Sequence, residues 1–79
     1  MANDVQDRVI KVVARTLKID ESRITPESRF VEDLGAESMQ GVELIAAFEE
    51  EFDIDMDEQE ALDVKTVGTA TAFIERHLD

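Results

Sequence analysis

Apolar residues recur at helical spacing in three long stretches of this chain, and nowhere do they alternate as a strand would. Val5, Val9, Val12, Val13 and Leu17 line one side of a helix, and Asn3 with Gln6 three residues on has the form of a capping box. A first helix is therefore predicted over about residues 4–17. From Ser38 the pattern resumes. Met39, Val42, Ile45 and Ala46 form the apolar side with Leu44, Phe48 and Phe52 beside them, while Glu43, Glu49, Glu50 and Glu51 are left for the solvent edge. This predicts a second helix over about 38–52. Residues 57–62 suit a short third helix. Val67, Ala70, Phe73, Ile74 and Leu78 make the apolar face of a last one, with Thr66 as its cap.

Residues 20–37 mix Ser, Thr, Pro, Gly and charge with apolar anchors at Ile24, Phe30, Val31 and Leu34, which suits a loop pinned to the core. A loop that long in a small domain is more often functional than idle. The fold class read from these elements is all-α: a small four-helix bundle with a long loop between helices one and two and a short third helix. At 79 residues there is room for one domain, spanning 1–79, and one economical core.

Charge changes the picture. Residues 30–64 carry thirteen acidic residues and no Lys or Arg, so nearly all of the net charge of −12 belongs to one segment. A field of that sign repels nucleic-acid phosphates and anionic lipid, and steers toward the chain proteins with basic patches. With no cysteine there is no disulfide frame, thiolate zinc site or thiol nucleophile. The start, Met1-Ala2-Asn3-Asp4, lacks the basic and apolar regions of a signal peptide, and no apolar run is long enough to cross a bilayer. The expectation is a cytoplasmic monomer with neither nucleic-acid binding nor membrane insertion.

A catalytic reading finds little to work with. The only histidine, His77, lies near the C-terminus, where it reads as a frayed, solvated residue suited to the helix dipole. Ser38 has no evident base, and its surroundings fail the nucleophile-elbow pattern, which needs glycines two before and two after the serine. Asp53, Asp55 and Asp57 match the first three ligand spacings of an EF-hand loop, but Glu58 stands where the turn demands Gly and Val64 where a bidentate Glu is needed. Ser38 itself, at the junction of loop and second helix, reads in two ways. It can be an N-cap, worth about 1 kcal/mol. It can equally be an acceptor for a covalent phosphate, which the free N–H groups and positive dipole end of a helix favour. Gly35 would keep the approach open and let the chain turn tightly.

Phe30-Val31-Glu32-Asp33-Leu34-Gly35-Ala36-Glu37-Ser38-Met39, followed by Val42-Glu43-Leu44 and Phe48-Glu49-Glu50-Glu51-Phe52, resembles the acyl carrier proteins over essentially the whole chain. The resemblance implies a carrier rather than an enzyme. Ser38 would be the covalent attachment point of 4′-phosphopantetheine, donated from coenzyme A by a phosphopantetheinyl transferase. Acyl intermediates would then ride on the arm as thioesters in fatty-acid, polyketide or specialised lipid biosynthesis. It also implies that Glu37, Met39, Glu43, Glu49 and Glu50 dock basic-surfaced acyl-processing enzymes such as synthases, reductases and acyltransferases. Within the motif, Glu37-Ser38-Met39 departs from the family's usual Asp-Ser-Leu, and Gln40 and Gly41 replace an acidic and a small hydroxyl residue. Family members can shelter an acyl chain between the helices. Here Ala46, Ala47, Ala70, Thr71 and Ala72 put small side chains where helices two and four are expected to face each other, leaving expandable space. The alternative from another class is an acidic protein-interaction or calcium-responsive adaptor module without covalent modification, in which Ser38 is merely an N-cap.

Overall fold

The computed structural model describes residues 4–78, so the Asn3 capping box lies outside the described residues. Four α-helices follow one another: α1 Asp4–Leu17, α2 Ser38–Phe52, α3 Glu58–Leu62 and α4 Val67–Leu78. Each long helix arises from the apolar stripe that predicts it. Val9, Val12 and Val13 of α1 are fully buried, and α1 packs against both α2 and α4. The main core adds Leu44, Phe48 and Phe52 of α2 and Val67, Ala70 and Ile74 of α4. A second cluster of Ile45, Ala61 and Phe73, with Met56 and Val64 against it, joins α2, α3 and α4.

The buried face of α2 is rotated from the expected one. Leu44, Ile45, Phe48 and Phe52 point inward, whereas Ala46 is exposed, Met39 is 78% exposed and Val42 48%. The heavier side chains take the interior, where burying each is worth roughly 1.5–3 kcal/mol.

Helix ends carry their own signals. Lys18 adopts φ 60° after α1, and the Ile19 N–H donates to the Ala14 carbonyl at 3.0 Å, a left-handed C-terminal cap with lysine where glycine is preferred. At the end of α2, Asp53 does the same at φ 55°, with Ile54 N–H donating to Glu49 O at 3.2 Å. Arg8 of α1 lies over the Phe52 ring at 4.4 Å, and its Nε and Nη2 donate to Glu51 Oε2 at 3.1 Å and Glu51 O at 2.8 Å. Glu51 thus ties α2 to α1. Thr66 Oγ1 accepts the Thr69 N–H at 3.1 Å, capping α4 as its sequence predicts. His77 differs from expectation: its Nδ1 is 2.9 Å from Phe73 O, its ring meets Phe73 edge-on at 4.8 Å, and it is half-buried rather than frayed.

The long loop is ordered by short-range bonds. A 3-10 turn at Glu21–Arg23, unanticipated from sequence, is capped by Asp20, whose Oδ1 accepts the Ser22 N–H at 3.1 Å. That bond holds the Asp20 carboxyl below the usual aspartate range. Farther on, the loop pairs with the start of α4. Phe30 N–H donates to Lys65 O and Val67 N–H to Ser28 O, both at 3.0 Å, and Gly68 N–H to Pro26 O at 2.8 Å. A Cβ at Gly68 would stand 3.0 Å from Pro26 O, a tight contact that glycine avoids. Ile24 and Phe30 are buried as predicted, but Val31 is 67% exposed, because the chain turns at that point. Asp33 closes the turn: its Oδ2 accepts the Arg29 N–H at 2.8 Å and the Arg29 Nε–H at 3.3 Å. The backbone bond first, and then the guanidinium, hold the Asp33 carboxyl below its ordinary value.

Two outcomes follow for stability. Lys18→Gly relieves a left-handed non-glycine residue and raises stability by about 0.5–1 kcal/mol, read from the urea midpoint at unchanged slope. For Asp33, whose folded pKa is depressed, the contribution is complete above the ordinary value of 3.8 and is lost as pH falls through the lower folded value. Comparing urea midpoints of the wild type and Asp33→Ala between pH 7 and 2.5, we expect a constant gap at neutral pH that closes only below the ordinary carboxylate range.

Candidate functional site

Ser38 stands at the first position of α2, and the chain delivers it there by a defined path. After Arg29 the backbone winds into a tight turn, Gly35 takes φ 73°, and the Ala36 N–H returns to the Phe30 carbonyl at 2.8 Å. Open space surrounds the position where a Gly35 side chain would lie, so the approach to the helix start is clear. Glu37, extended at φ −96° and ψ 169°, is the N-cap residue, and its N–H donates to Gln40 Oε1 at 2.9 Å. The pair forms a capping box with Glu in place of the usual Ser, Thr, Asp or Asn, so the ordinary sequence signature does not announce it. Gln40, which reads as a departure from the family pattern, is therefore a brace for the helix start. The N-cap reading of Ser38 is corrected by the same geometry: the cap is Glu37, and Ser38 belongs to the first turn of the helix.

Position 38 shares its helical face with positions 41, 42 and 45. Gly41, Val42 and Ile45 line an apolar cavity of about 460 Å³ bounded by α2, α3, α4 and the end of the long loop. Its interior is built from buried groups such as Leu44, Phe48, Ala70 and Phe73, and its mouth from the exposed residues Val31, Glu37, Val42 and Leu62. The mouth therefore opens beside the N-terminus of α2. Of the small residues expected to leave room, only Ala70 lines this space, while Ala46 and Ala72 face solvent. The space lies among α2, α3 and α4, and its other small lining residues are Ala36, Gly41 and Ala61.

The acidic tract divides among several tasks. Glu37, Glu43 and Glu50 are exposed, as is Met39. Glu49 is half-buried, and its Oε2 accepts the Met56 N–H at 2.9 Å, so it staples the connection after α2 to the helix. No sequence pattern announces that bond, which spans seven residues. Asp57 caps α3 by accepting the Gln59 N–H at 2.9 Å and the Glu60 N–H at 3.4 Å. With Asp53 at the end of α2, two members of the EF-hand-like run are occupied in ending and starting helices. Among the described residues, no three His, Cys, Asp or Glu side chains converge as metal ligands would.

The helix start fits a covalently tethered phosphate. Exposed residues flank position 38, the dipole end of a fifteen-residue helix is positive, and the space beside Gly35 is open. When attached, the group supplies a flexible arm ending in a thiol that holds acyl groups as thioesters. Among the described residues no helix is long and apolar enough to cross a membrane.

Comparison with known proteins gives the same picture. The family defined as the phosphopantetheine attachment site matches residues 7–74. An acyl carrier protein of Phenylobacterium zucineum (strain HLK1) is 45% identical over 76 residues, covering 96% of each chain. A solved structure of a proposed acyl carrier protein from Mycobacterium tuberculosis superimposes with a TM-score of 0.84 at 30% identity, over 91% of this chain and 96% of that one. Fold, helix-start geometry and relatives coincide: the chain belongs to the acyl carrier proteins, non-catalytic bearers of 4′-phosphopantetheine that are loaded by a transferase and serve acyl-processing enzymes.

Proposed function

We propose that Ser38 receives the phosphopantetheine arm and that the whole chain, as one domain and a cytoplasmic monomer, carries acyl groups in fatty-acid, polyketide or specialised lipid biosynthesis. One observation carries the reading: the only serine in α2 stands at the open start of the helix, beside the mouth of an apolar cavity. The chain's own residues then have simple tasks. Glu37 and Gln40 fix the helix start, and Gly35 leaves open space before it. The cavity takes the apolar part of the cargo and withholds it from water.

Docking belongs to the exposed side of α2. Met39, with its flexible thioether side chain, offers an adaptable apolar contact beside the arm. Glu37, Glu43 and Glu50 surround it with negative charge available to Arg and Lys of basic-surfaced synthases, reductases, acyltransferases and the transferase itself. Exposed pairs of this kind contribute roughly 0–1 kcal/mol each, so several together give contacts that are fast, reversible and salt-sensitive. Glu49 contributes to the same field while holding Met56.

Incubation with coenzyme A, magnesium and a phosphopantetheinyl transferase should add the mass of one arm to the intact chain, and Ser38→Ala should abolish the gain. An arm that persists in Ser38→Ala would place the attachment elsewhere. Among the docking residues, Glu43→Gln and Glu50→Gln should each weaken transferase binding by about two- to fivefold at low ionic strength, the defect fading as salt rises. By contrast, Glu49→Ala should lower folding stability by about 1 kcal/mol, measured by urea denaturation.

A further inference from the structure

Gly41 is the one position of the cavity wall without a side chain, and it faces Leu62 across the gap between α2 and α3. A Cβ at Gly41 would stand 3.6 Å from Leu62 Cδ2, an ordinary van der Waals contact. Sterics therefore do not demand glycine here, and helix propensity argues against it. Leu62, for its part, ends a helix of only five residues and leaves 48% of its surface exposed at the mouth. An exposed leucine at an apolar opening, opposite a glycine that gives it nothing to grip, has the character of a flap.

We infer that Gly41 and Leu62 form the gate of the cavity, with glycine at position 41 keeping Leu62 free to be displaced. The inference rests on the proposed attachment at Ser38 and on the cavity as shelter for the cargo. An apolar chain tethered at Ser38 must pass position 41, one helical turn along the same face, before reaching Ile45 and the buried interior. Because the tether stays outside, a sheltered chain always occupies the mouth. Leu62, which narrows the mouth from its lip, has to give way to that chain. A methyl group at position 41 would pack on Leu62 as it lies in the empty protein, and that contact would be lost whenever the cargo entered. Alanine thus stabilises the empty protein and disfavours the loaded, sheltered state. Gly41 is on this account a determinant of how readily cargo is taken in, and its cost in helix stability is the counterpart of an easily opened gate.

The test loads the full chain with an octanoyl or an acetyl thioester on its arm and follows cleavage by hydroxylamine. In the wild type, octanoyl should be cleaved more slowly than acetyl, whose chain is too short to reach the interior. In Gly41→Ala, octanoyl cleavage should accelerate about fourfold, the equilibrium equivalent of one buried methylene, with acetyl cleavage unchanged. In a Leu62→Ala background, Gly41→Ala should have no such effect. The unmodified protein gives an independent readout: Gly41→Ala should raise the thermal midpoint, and by more with Leu62 present than with Ala in its place. Unchanged octanoyl protection in Gly41→Ala, or an equal effect in both backgrounds, overturns the gate while leaving the shelter intact. Equal cleavage of octanoyl and acetyl in the wild type overturns the shelter, and the gate falls with it.

Discussion

Three backbone hydrogen bonds between residues 26–30 and residues 65–68 hold the long loop against the start of α4, and the geometry at Ser38 depends on them. Without that clasp, the segment joining α1 to α2 would have no reason to bury Phe30 or to enter its turn at a fixed point. Phe30 is the hinge of the arrangement. Its N–H is held by Lys65 O, its carbonyl receives the Ala36 N–H, and its ring lines the cavity. Gly68 in turn suits the clasp, since a Cβ there would make a tight contact with Pro26 O. A glycine in the first turn of α4 thus helps to fix where α2 begins.

From that fixed start, α2 has to serve two surroundings. One side must bury Leu44, Phe48 and Phe52 against α1, and the other must stay acidic and accessible. Its acids are accordingly unequal despite their similar chemistry. Glu51 is drawn to Arg8 and Arg15 of α1, and Glu49 to the Met56 N–H, while Glu43 and Glu50 of the same helix stay exposed. Intramolecular partners give some of these carboxylates a second task, holding the helix in place. The density of acid in this tract is therefore larger than the density of fully exposed acid on the helix.

Much of this was legible in the sequence, because periodicity and capping chemistry are local. The bounds of α1 and α2, the Thr66 cap and the place of Ser38 at a helix start follow from patterns a few residues wide. The rotation of α2 did not, since apolar residues occupy most of its circumference, and the side chains that cover the core are chosen by packing against α1 and α4 as well as by their own size. Val31 misleads for a similar reason: it sits among true anchors, but at the outside of a turn. The Glu49–Met56 bond and the cavity are products of tertiary arrangement, with no local signature.

The cavity also explains why α3 is so short. A sealed, empty void of 460 Å³ would cost about 11 kcal/mol at roughly 24 cal/mol per Å³, comparable to the entire stability of a small domain. A chain of this size cannot maintain such a void behind rigid walls. The structure meets the constraint by leaving one side open, with Val31, Val42 and Leu62 at the lip, and by closing another with a five-residue helix fastened through Asp57 and the Glu49–Met56 bond. Short, few-contact elements yield at little cost, so this wall of the cavity is its compliant one. Rigidity is concentrated where α1 meets α2 and α4, and compliance where α3 borders the cavity.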